Sequence, residues 1–419
     1  MSAIRRDTTR ASLMIVVHGG LNGFNDSREL AEAVGDSIYR DGHYPIFVNW
    51  RTDFPDSYAE HLAFTRRGHV TGRWNALLNV PTNLVADVGR GVTRAPLLLP
   101  EQARDEFLAL VSGDRSGPVN AEYQALRKQF GDTAQIQASL GTHCTSGRNQ
   151  MGALVRAPLA PLRLLIGVPV AGWVGTAGWD NMVRRSRNVF RRPAESTHRD
   201  TAYSDRYRPG QGGASALMDS IARMLREDAA ARNLPRPRRV TLVGHSMGAI
   251  VLSEMIRLYP TVQFDTIVFM AAAVSSREFH EKVVPYLAAH PTSRFFNLTL
   301  HPNMDARERI VVPIAPVGSL LENIDEIYSN PATHVDRTLG KWTNVLETLH
   351  LVPDSVRGQI SIKGFGYNDP HHPGYGSRRG NPGVHGAFND PGLGFWRSEF
   401  WKPTPPSPRG EQEPRSCPR

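Results

Sequence analysis

An α/β fold with a mostly parallel sheet is the class that this sequence predicts. Short apolar runs rich in β-branched residues alternate with segments whose apolar residues recur at helical spacing, the pattern of strands joined by crossover helices. The 419 residues are 40% hydrophobic and 21% charged, an ordinary globular composition. We therefore expect a sheet of about six strands flanked by helices, together with a large, mainly helical insertion.

The predicted strands fall into an early pair and a later series. The early pair, residues 13–17 and 44–50, encloses a helix in which Leu30, Val34 and Ile38 recur at helical spacing. The later strands are residues 239–243, 266–270, 294–300 and 359–363, and helices are predicted over residues 214–233, 249–258 and 279–289. The core is therefore expected to comprise residues 11–50 and 214–402, and the Pro-rich tail 403–419 to be disordered.

Residues 51–213 form the predicted insertion, because the strand pattern does not account for them. Within it, residues 164–178 carry no charge and contain Pro169. Five arginines follow closely: Arg184, Arg185, Arg187, Arg191 and Arg192. The apolar run is shorter than the roughly 20 residues of a spanning helix, so a buried cap helix is favoured. The alternative is an interfacial segment in peripheral contact with an anionic membrane surface.

Charge and cysteine content narrow the classes of protein to consider. The net charge of +9 comes without a helix-turn-helix, zinc-finger or RNA-binding signature, so no nucleic acid is expected as partner. The two cysteines, Cys144 and Cys417, suggest no disulfide framework, and the first apolar run is too short for a signal peptide. A cytoplasmic protein is expected, with the peripheral membrane contact as its alternative. No metal-binding or nucleotide-binding motif occurs, so no cofactor is expected.

Ser246 lies in the sequence Gly244-His245-Ser246-Met247-Gly248 and is the candidate nucleophile. This Gly-x-Ser-x-Gly pattern follows a predicted strand and opens a predicted helix. A turn that tight requires glycine at the flanking positions and presents the serine above the sheet edge. The free N–H groups of the following helix, beginning with Met247, would stabilise a developing oxyanion.

A second glycine turn, His18-Gly19-Gly20-Leu21, follows the first strand. Glycine lets the backbone approach a substrate closely, so the N–H of Gly20 or Leu21 is the second candidate donor of an oxyanion hole. His18 is interpreted as a structural residue of the turn.

These two motifs and the strand order resemble the α/β-hydrolase superfamily, including its lipases and esterases. The resemblance covers residues 13–50 and 214–401 and leaves the insertion unmatched. It implies a smaller sheet than usual, since the two leading strands have no counterpart here. It also implies that the insertion emerges on the active-site side of the sheet, because it follows the carboxyl end of a parallel strand.

The superfamily order of nucleophile, acid and histidine implies the remaining roles. The acid should follow the strand 294–300, which favours Asp305, with Glu308 and Glu278 as alternatives. The histidine should follow the last strand. His385, on a glycine-flanked loop, is preferred to His371 and His372.

The sequence therefore predicts a serine hydrolase that cleaves carboxylic esters or thioesters through an acyl-enzyme. The apolar insertion favours a small-molecule ester or lipid substrate with a hydrophobic acyl group. Two alternatives stay open: an acyltransferase on the same fold, and a non-catalytic binding protein that retains the fold.

Overall fold

The computed structural model describes most of the predicted core and the two long helices of the insertion. The described residues are 12–20, 24–50, 52–66, 69–70, 75–111, 135–138, 160–191, 212–231, 238–300, 302, 305, 308, 316, 318–365 and 382–402. Leu21, Arg192, His371, His372, both cysteines and the predicted disordered tail lie outside these residues.

Nine strands are present among the described residues. In chain order they are β1 (Ser12–Val17), β2 (His43–Val48), β3 (Thr65–Arg66), β4 (His69–Val70), β5 (Gln135–Ala138), β6 (Arg239–His245), β7 (Thr266–Met270), β8 (Arg294–Leu300) and β9 (Ile360–Phe365). The six longer strands form an all-parallel sheet in the order β2-β1-β6-β7-β8-β9. The pair β3-β4 is a separate small antiparallel ribbon.

The helices cover the sheet and build the insertion. They are α1 (Phe24–Arg40), α2 (Phe54–Ala63), α3 (Ala76–Val111), α4 (Ala160–Asn188), α5 (Gly213–Ala231), α6 (Gly248–Leu258), α7 (residues 276–289), α8 (residues 320–328), α9 (Trp342–Thr348), α10 (Asp354–Arg357) and α11 (Ser398–Trp401). The short 3-10 turns are His334–Asp336, Leu349–Leu351, His385–Asn389 and Pro391–Leu393.

Burial on both faces explains why the central strands read as continuous apolar runs. Every residue of β6 after Arg239 is buried, and so is every residue of β9. The prediction of a parallel α/β sheet of about six strands, flanked by helices and carrying a helical insertion, is confirmed. The carboxyl ends of these strands share one edge of the sheet, called here the carboxyl edge.

The insertion differs from its sequence-based description in two respects. Its residues Gln135–Ala138 form β5, a short parallel strand that pairs with β9 at the edge of the sheet. In addition, α4 continues through both the charge-free run and the first arginines, for 29 residues in all. The predicted bounds of residues 51–213 for this unit stay a prediction.

Three arginines at the end of α4 form ion pairs with neighbouring acids. Arg184 pairs with Asp180 at 2.9 Å, Arg187 pairs with Glu278 at 2.6 Å, and Arg185 pairs with Glu60. Their charges therefore fasten α4 to α2 and to the core helix α7.

Helices α3 and α4 pack closely where Gly91 of α3 meets Pro169 and Trp173 of α4. A Cβ atom at Gly91 would lie 2.6 Å from the Pro169 carbonyl oxygen and 2.7 Å from the Trp173 Cβ. Both distances are far below van der Waals contact. Residue 91 must therefore be glycine for the two helices to approach this closely.

We predict that Gly91→Ala weakens the packing of α3 on α4 by about 1–3 kcal/mol, because the added methyl group separates the helices. Amide hydrogen exchange measured over peptides from residues 76–111 should be faster in this variant. Gly89→Ala is the matched control, since nothing lies within 4 Å of a Cβ at that position. It should slow exchange, because alanine favours a helix over glycine by about 1 kcal/mol. Equal exchange in the two variants would contradict the close approach.

Candidate active site

Ser246 occupies a strained turn between β6 and α6 at the carboxyl edge. Its φ angle is +52°, in the left-handed region that is uncommon for residues other than glycine. Main-chain hydrogen bonds hold this conformation: the Ser246 N–H donates to the Met270 carbonyl at 2.9 Å, and its carbonyl accepts from Ala273 at 3.0 Å. Strain of this kind persists only where the surroundings enforce it, and it clusters at functional sites.

The two glycines beside Ser246 are required by close contacts. A Cβ at Gly248 would lie 2.3 Å from the Val17 carbonyl oxygen of β1. A Cβ at Gly244 would lie 2.8 Å from Leu252 and 3.0 Å from the backbone nitrogen of Ala249. The turn therefore brings β1, β6 and α6 together without room for a side chain at either glycine.

His385 lies against Ser246. It begins the 3-10 turn His385–Asn389, which follows β9 along the chain. Its Nε2 atom is 2.9 Å from Ser246 Oγ, and both side chains are buried. Because a hydroxyl donates readily to a neutral imidazole nitrogen, this pair has the geometry of a nucleophile and its general base.

His245 fixes the position of His385. Its Nε2 is 2.9 Å from the His385 main-chain carbonyl oxygen, to which a protonated Nε2 donates. The centroids of the two imidazole rings are 5.2 Å apart. The Phe388 ring also stacks on His245, with ring centroids 6.4 Å apart. Sequence reasoning missed this role, although His245 is the residue that precedes the nucleophile inside the glycine motif.

Burial sets the protonation of both histidines. It lowers the pKa of His245 to about 4, and it lowers the pKa of His385 well below its ordinary value, helped by the neighbouring His245. Both rings are therefore neutral near pH 7. A neutral His385 is the form that accepts a proton from serine.

The glycine turn after β1 lies directly beside Ser246. A Cβ at Gly19 would lie 3.1 Å from the Ser246 Cβ, and one at Gly20 would lie 2.1 Å from the Met247 sulfur. In the part of the chain that the structure describes, the N–H groups of Gly20 and Met247 donate no hydrogen bond. These two predicted oxyanion donors thus flank Ser246, whereas Leu21 lies outside the described residues.

His18 links the ends of β1 and β2. Its Nε2 accepts from the Trp50 N–H at 3.3 Å, which leaves Nδ1 to donate to the Gly19 carbonyl at 2.8 Å. Burial lowers the pKa of His18, so the ring is neutral. These local contacts agree with a structural residue of the turn.

The three candidate acids occupy different surroundings. Glu308 Oε2 accepts from the His385 main-chain N–H at 2.8 Å, and burial raises the pKa of Glu308 to about 7. Burial and the nearby Glu322 raise the pKa of Asp305, whose carboxyl is hydrogen-bonded by Ser319. Glu278 pairs with Arg187 and Lys282, each at 2.6 Å. Of the three, Glu308 is the acid bonded to His385.

The Nδ1 atom of His385 is the ring nitrogen that a triad acid would bond. His385 Nδ1 is buried and has no hydrogen-bond partner among the described residues. Asp305, the acid preferred from the sequence, makes no hydrogen bond to His385 within this part of the chain. The structure thus brings Ser246 and His385 together and leaves the acid of the predicted triad without its bond to the ring.

Helix α4 lies beside the glycine turn that adjoins Ser246. The Met182 side chain of α4 would lie 3.0 Å from a Cβ at Gly20, next to Met247. Ser246 is only 2% exposed and His385 only 5% exposed, so a substrate reaches them only when the covering residues move.

Two cavities lie at opposite edges of the sheet. One, of about 600 Å³, adjoins the carboxyl end of β2 and is lined by Trp50, Arg185 and Leu217. The other, of about 1140 Å³, lies beside the first residues of five strands: Ser12, His43, Arg239, Thr266 and Arg294. Of these two cavities, the first lies on the same edge as Ser246. Across the described ranges, no group of three or more His, Cys, Asp or Glu side chains is placed to hold a metal ion.

Comparison with known proteins adds no family to this description. The chain matches no known protein-family model, and searches of curated proteins and of solved structures find no significant match. The class that fold and site define is therefore an α/β protein with an all-parallel sheet and a buried Ser–His pair at its carboxyl edge.

We predict that protonation of His245 lowers the free energy of unfolding as the pH falls from about 7 to 5, while the raised pKa values of the buried acids Asp305 and Glu308 contribute in the opposite direction. Histidines whose pKa is lowered in the folded state bind protons more readily when unfolded, so unfolding becomes easier below about pH 6.5. His245 alone, with its pKa lowered to about 4, should account for about 2 kcal/mol of the loss. Urea unfolding at the two pH values measures the difference.

The variant His245→Gln should show a smaller pH-dependent loss than the wild type. The matched control is His334→Gln, whose side chain is 71% exposed and which should keep the wild-type loss. An unchanged loss in His245→Gln would show that the buried ring does not control this pH dependence.

Proposed function

We propose that this protein is a serine hydrolase that cleaves carboxylic esters or thioesters through an acyl-enzyme. The 2.9 Å contact between Ser246 Oγ and His385 Nε2, made on a left-handed turn at the carboxyl edge, carries the proposal. The closely placed N–H groups of Gly20 and Met247 support it, because acyl transfer needs donors for a developing oxyanion.

In the proposed reaction, His385 Nε2 removes the Ser246 proton while Oγ attacks the substrate carbonyl carbon. The carbonyl oxygen becomes an oxyanion held by the N–H groups of Gly20 and Met247. Collapse of this intermediate breaks the ester or thioester bond, and the protonated His385 gives its proton to the leaving oxygen or sulfur. Water, deprotonated by His385, then attacks the acyl-enzyme and releases the carboxylic acid.

The topology supports membership of the α/β-hydrolase superfamily. Ser246 follows β6, Glu308 follows β8 and His385 follows β9, in the chain order nucleophile, acid, histidine of that superfamily. The three strands lie in one parallel sheet, in which β7 separates β6 from β8 and β9 adjoins β8. Their carboxyl ends therefore converge on one edge.

Glu308 is the acid that we propose for His385. Its carboxylate already accepts the main-chain N–H of this histidine, and we propose that it bonds to Nδ1 of the same residue during the reaction. There it would hold the imidazole in the productive tautomer and stabilise the imidazolium. Asp305, kept close to Ser319 and Glu322, would serve the packing of the loop after β8.

A hydrophobic acyl group is the substrate feature that we propose. Two methionine side chains lie beside the glycine turn at Ser246: Met182 from α4 and Met247 from the turn after β6. Apolar walls favour an acyl chain by about 25 cal/mol for each Å² of buried surface.

We predict that Ser246→Ala abolishes both labelling by a fluorophosphonate probe and hydrolysis of nitrophenyl octanoate, because no other group replaces the nucleophile. Ser253→Ala is the matched control: Ser253 is a buried serine of α6 that follows the same turn, and its loss should leave both signals intact. Equal labelling of Ser246→Ala and wild type would exclude the proposed nucleophile. A strong preference for nitrophenyl acetate over octanoate would exclude the proposed acyl group only.

We predict that Glu308→Gln lowers kcat by about a hundredfold or more, because glutamine keeps the main-chain contact but cannot stabilise an imidazolium. Asp305→Asn is the comparison variant and should change kcat by less than about fivefold if that residue only packs the loop. Steady-state kinetics on one nitrophenyl ester decides between them. The reverse order of effects would assign the acid role to Asp305.

A further inference from the structure

The outer faces of α3 and α4 are unusually apolar for a protein surface. Exposed large hydrophobic side chains recur along both helices: Leu78, Val85, Val92 and Leu97 on α3, and Leu165 and Ile166 on α4. Leu97 is 77% exposed and Leu165 is 70% exposed. Of the 12 exposed large hydrophobic residues in the described chain, 8 belong to these two helices. We call the exposed residues of α3 from 78 to 100 and of α4 from 161 to 170 the apolar face.

The apolar face contains no charged side chain. Every exposed residue from Leu78 to Pro100 is apolar, glycine, proline or threonine, and the exposed residues of α4 in this stretch are proline, leucine, isoleucine or valine. Beyond this stretch, Glu101 and Arg104 are exposed charged residues of α3. Soluble proteins rarely expose an apolar patch this long.

Several charged side chains of the same two helices, in contrast, bond to other residues of the protein. Asp87 is fully buried against His61 at 2.9 Å, and Arg163 is buried against Glu106. Arg94 donates to Thr176 and to Asn330 of the core. Polar groups inside and apolar groups outside is the reverse of a water-facing helix pair, and it is the arrangement of helices that face lipid.

The contact between α3 and α4 also resembles helix packing in membranes. Gly91 and Gly172 let the backbones approach, with the Cα of Gly91 3.9 Å from a Cβ placed at Gly172. Small residues at the helix contact are the usual solution where lipid, and not water, surrounds the pair. Prolines within the helices, such as Pro81 and Pro96, agree with that environment.

Helix α4 itself is long and apolar enough to cross a membrane. Among the described residues it alone meets that criterion of length and composition, and only 33% of its most apolar window is buried. A core helix of a soluble protein would be mostly buried. One side of α3 and α4 packs on Ile327 and Tyr328 of α8. The apolar face lies on the other side and is the surface that could contact lipid.

We propose that the apolar face binds a phospholipid bilayer and lies in the hydrocarbon just below the headgroups. Leu78 and Leu97 are separated by about 28 Å along α3, so this helix would contact the membrane over that whole distance. A protein partner is disfavoured, because this face offers almost none of the hydrogen-bonding groups that protein interfaces carry.

Charge does not drive this binding. The arginines at the end of α4 that could attract anionic lipids are paired with Asp180, Glu60 and Glu278. We therefore expect binding to zwitterionic vesicles, with little sensitivity to salt. This inference does not depend on the proposed catalysis.

Flotation of the full-length protein with phosphatidylcholine vesicles tests the inference. Wild type should float with the vesicles and stay bound in about 1 M NaCl. The double variant Leu97→Glu, Leu165→Glu should lower the bound fraction by about tenfold or more, since each charge must be dehydrated in the hydrocarbon. Leu351→Glu is the matched control, a leucine 47% exposed outside the apolar face, and should float like the wild type.

Three outcomes would overturn the inference. Wild type that stays at the bottom of the gradient would show that no bilayer is bound. Release of the protein from the vesicles by salt would show that charged groups, and not the apolar face, bind the bilayer. A double variant that changes a dimer into a monomer, without changing flotation, would assign the face to a second copy of the chain. Circular dichroism of each variant confirms that folding is retained.

Discussion

The tight turn at Ser246 is the constraint around which the site is arranged. Its left-handed residue is held by main-chain bonds from the neighbouring strand β7, and the Gly248 backbone rests on the Val17 carbonyl of β1. The same contact positions the glycine turn that follows β1. Displacing this turn would therefore move the nucleophile, the flanking N–H groups and the start of α6 together. Because these contacts are formed by backbone atoms, side-chain changes elsewhere alter them little.

Burial has opposite effects on the bases and the acids near this turn. It keeps the buried histidines neutral by lowering their pKa, and it raises the pKa of Asp305 and Glu308. With Ser246 and His385 buried, the ground state therefore holds few bare charges. An imidazolium formed during a reaction would be poorly solvated here, and a nearby carboxylate would be strongly favoured as its partner. This is the physical reason for expecting Glu308 to matter to His385.

Sequence patterns predicted the strands and the nucleophile turn because they depend on local features. Apolar runs identified β1, β6 and β8, and the glycines beside Ser246 are required by contacts only a few residues away in the chain or in an adjacent strand. The pairing of Ser246 with His385 agrees with the preference stated from the sequence, while the catalytic role of each residue stays a prediction.

The features that the sequence did not predict depend on distant contacts. The hydrogen bond from His245 to the His385 carbonyl joins residues far apart in the chain, and so does that from the His385 N–H to Glu308. Helix α4 is longer than its charge-free run because ion pairs with α2 and α7 neutralise its arginines. Strand β5 escaped notice because four residues carry too little pattern to identify a strand.

The position of β5 has a consequence for how the chain acquires its structure. This strand lies within the insertion, yet among the described residues it pairs with β9, which is synthesised much later. Likewise, β1 and β2 pair early, but β1 meets β6 only after the whole insertion has been made. Such long-range pairings slow folding, because the chain loses the entropy of closing a long loop before the stabilising contacts form. The nascent chain would therefore carry its most apolar helices before a completed sheet exists, and their apolar surface would stay exposed until the later strands are made.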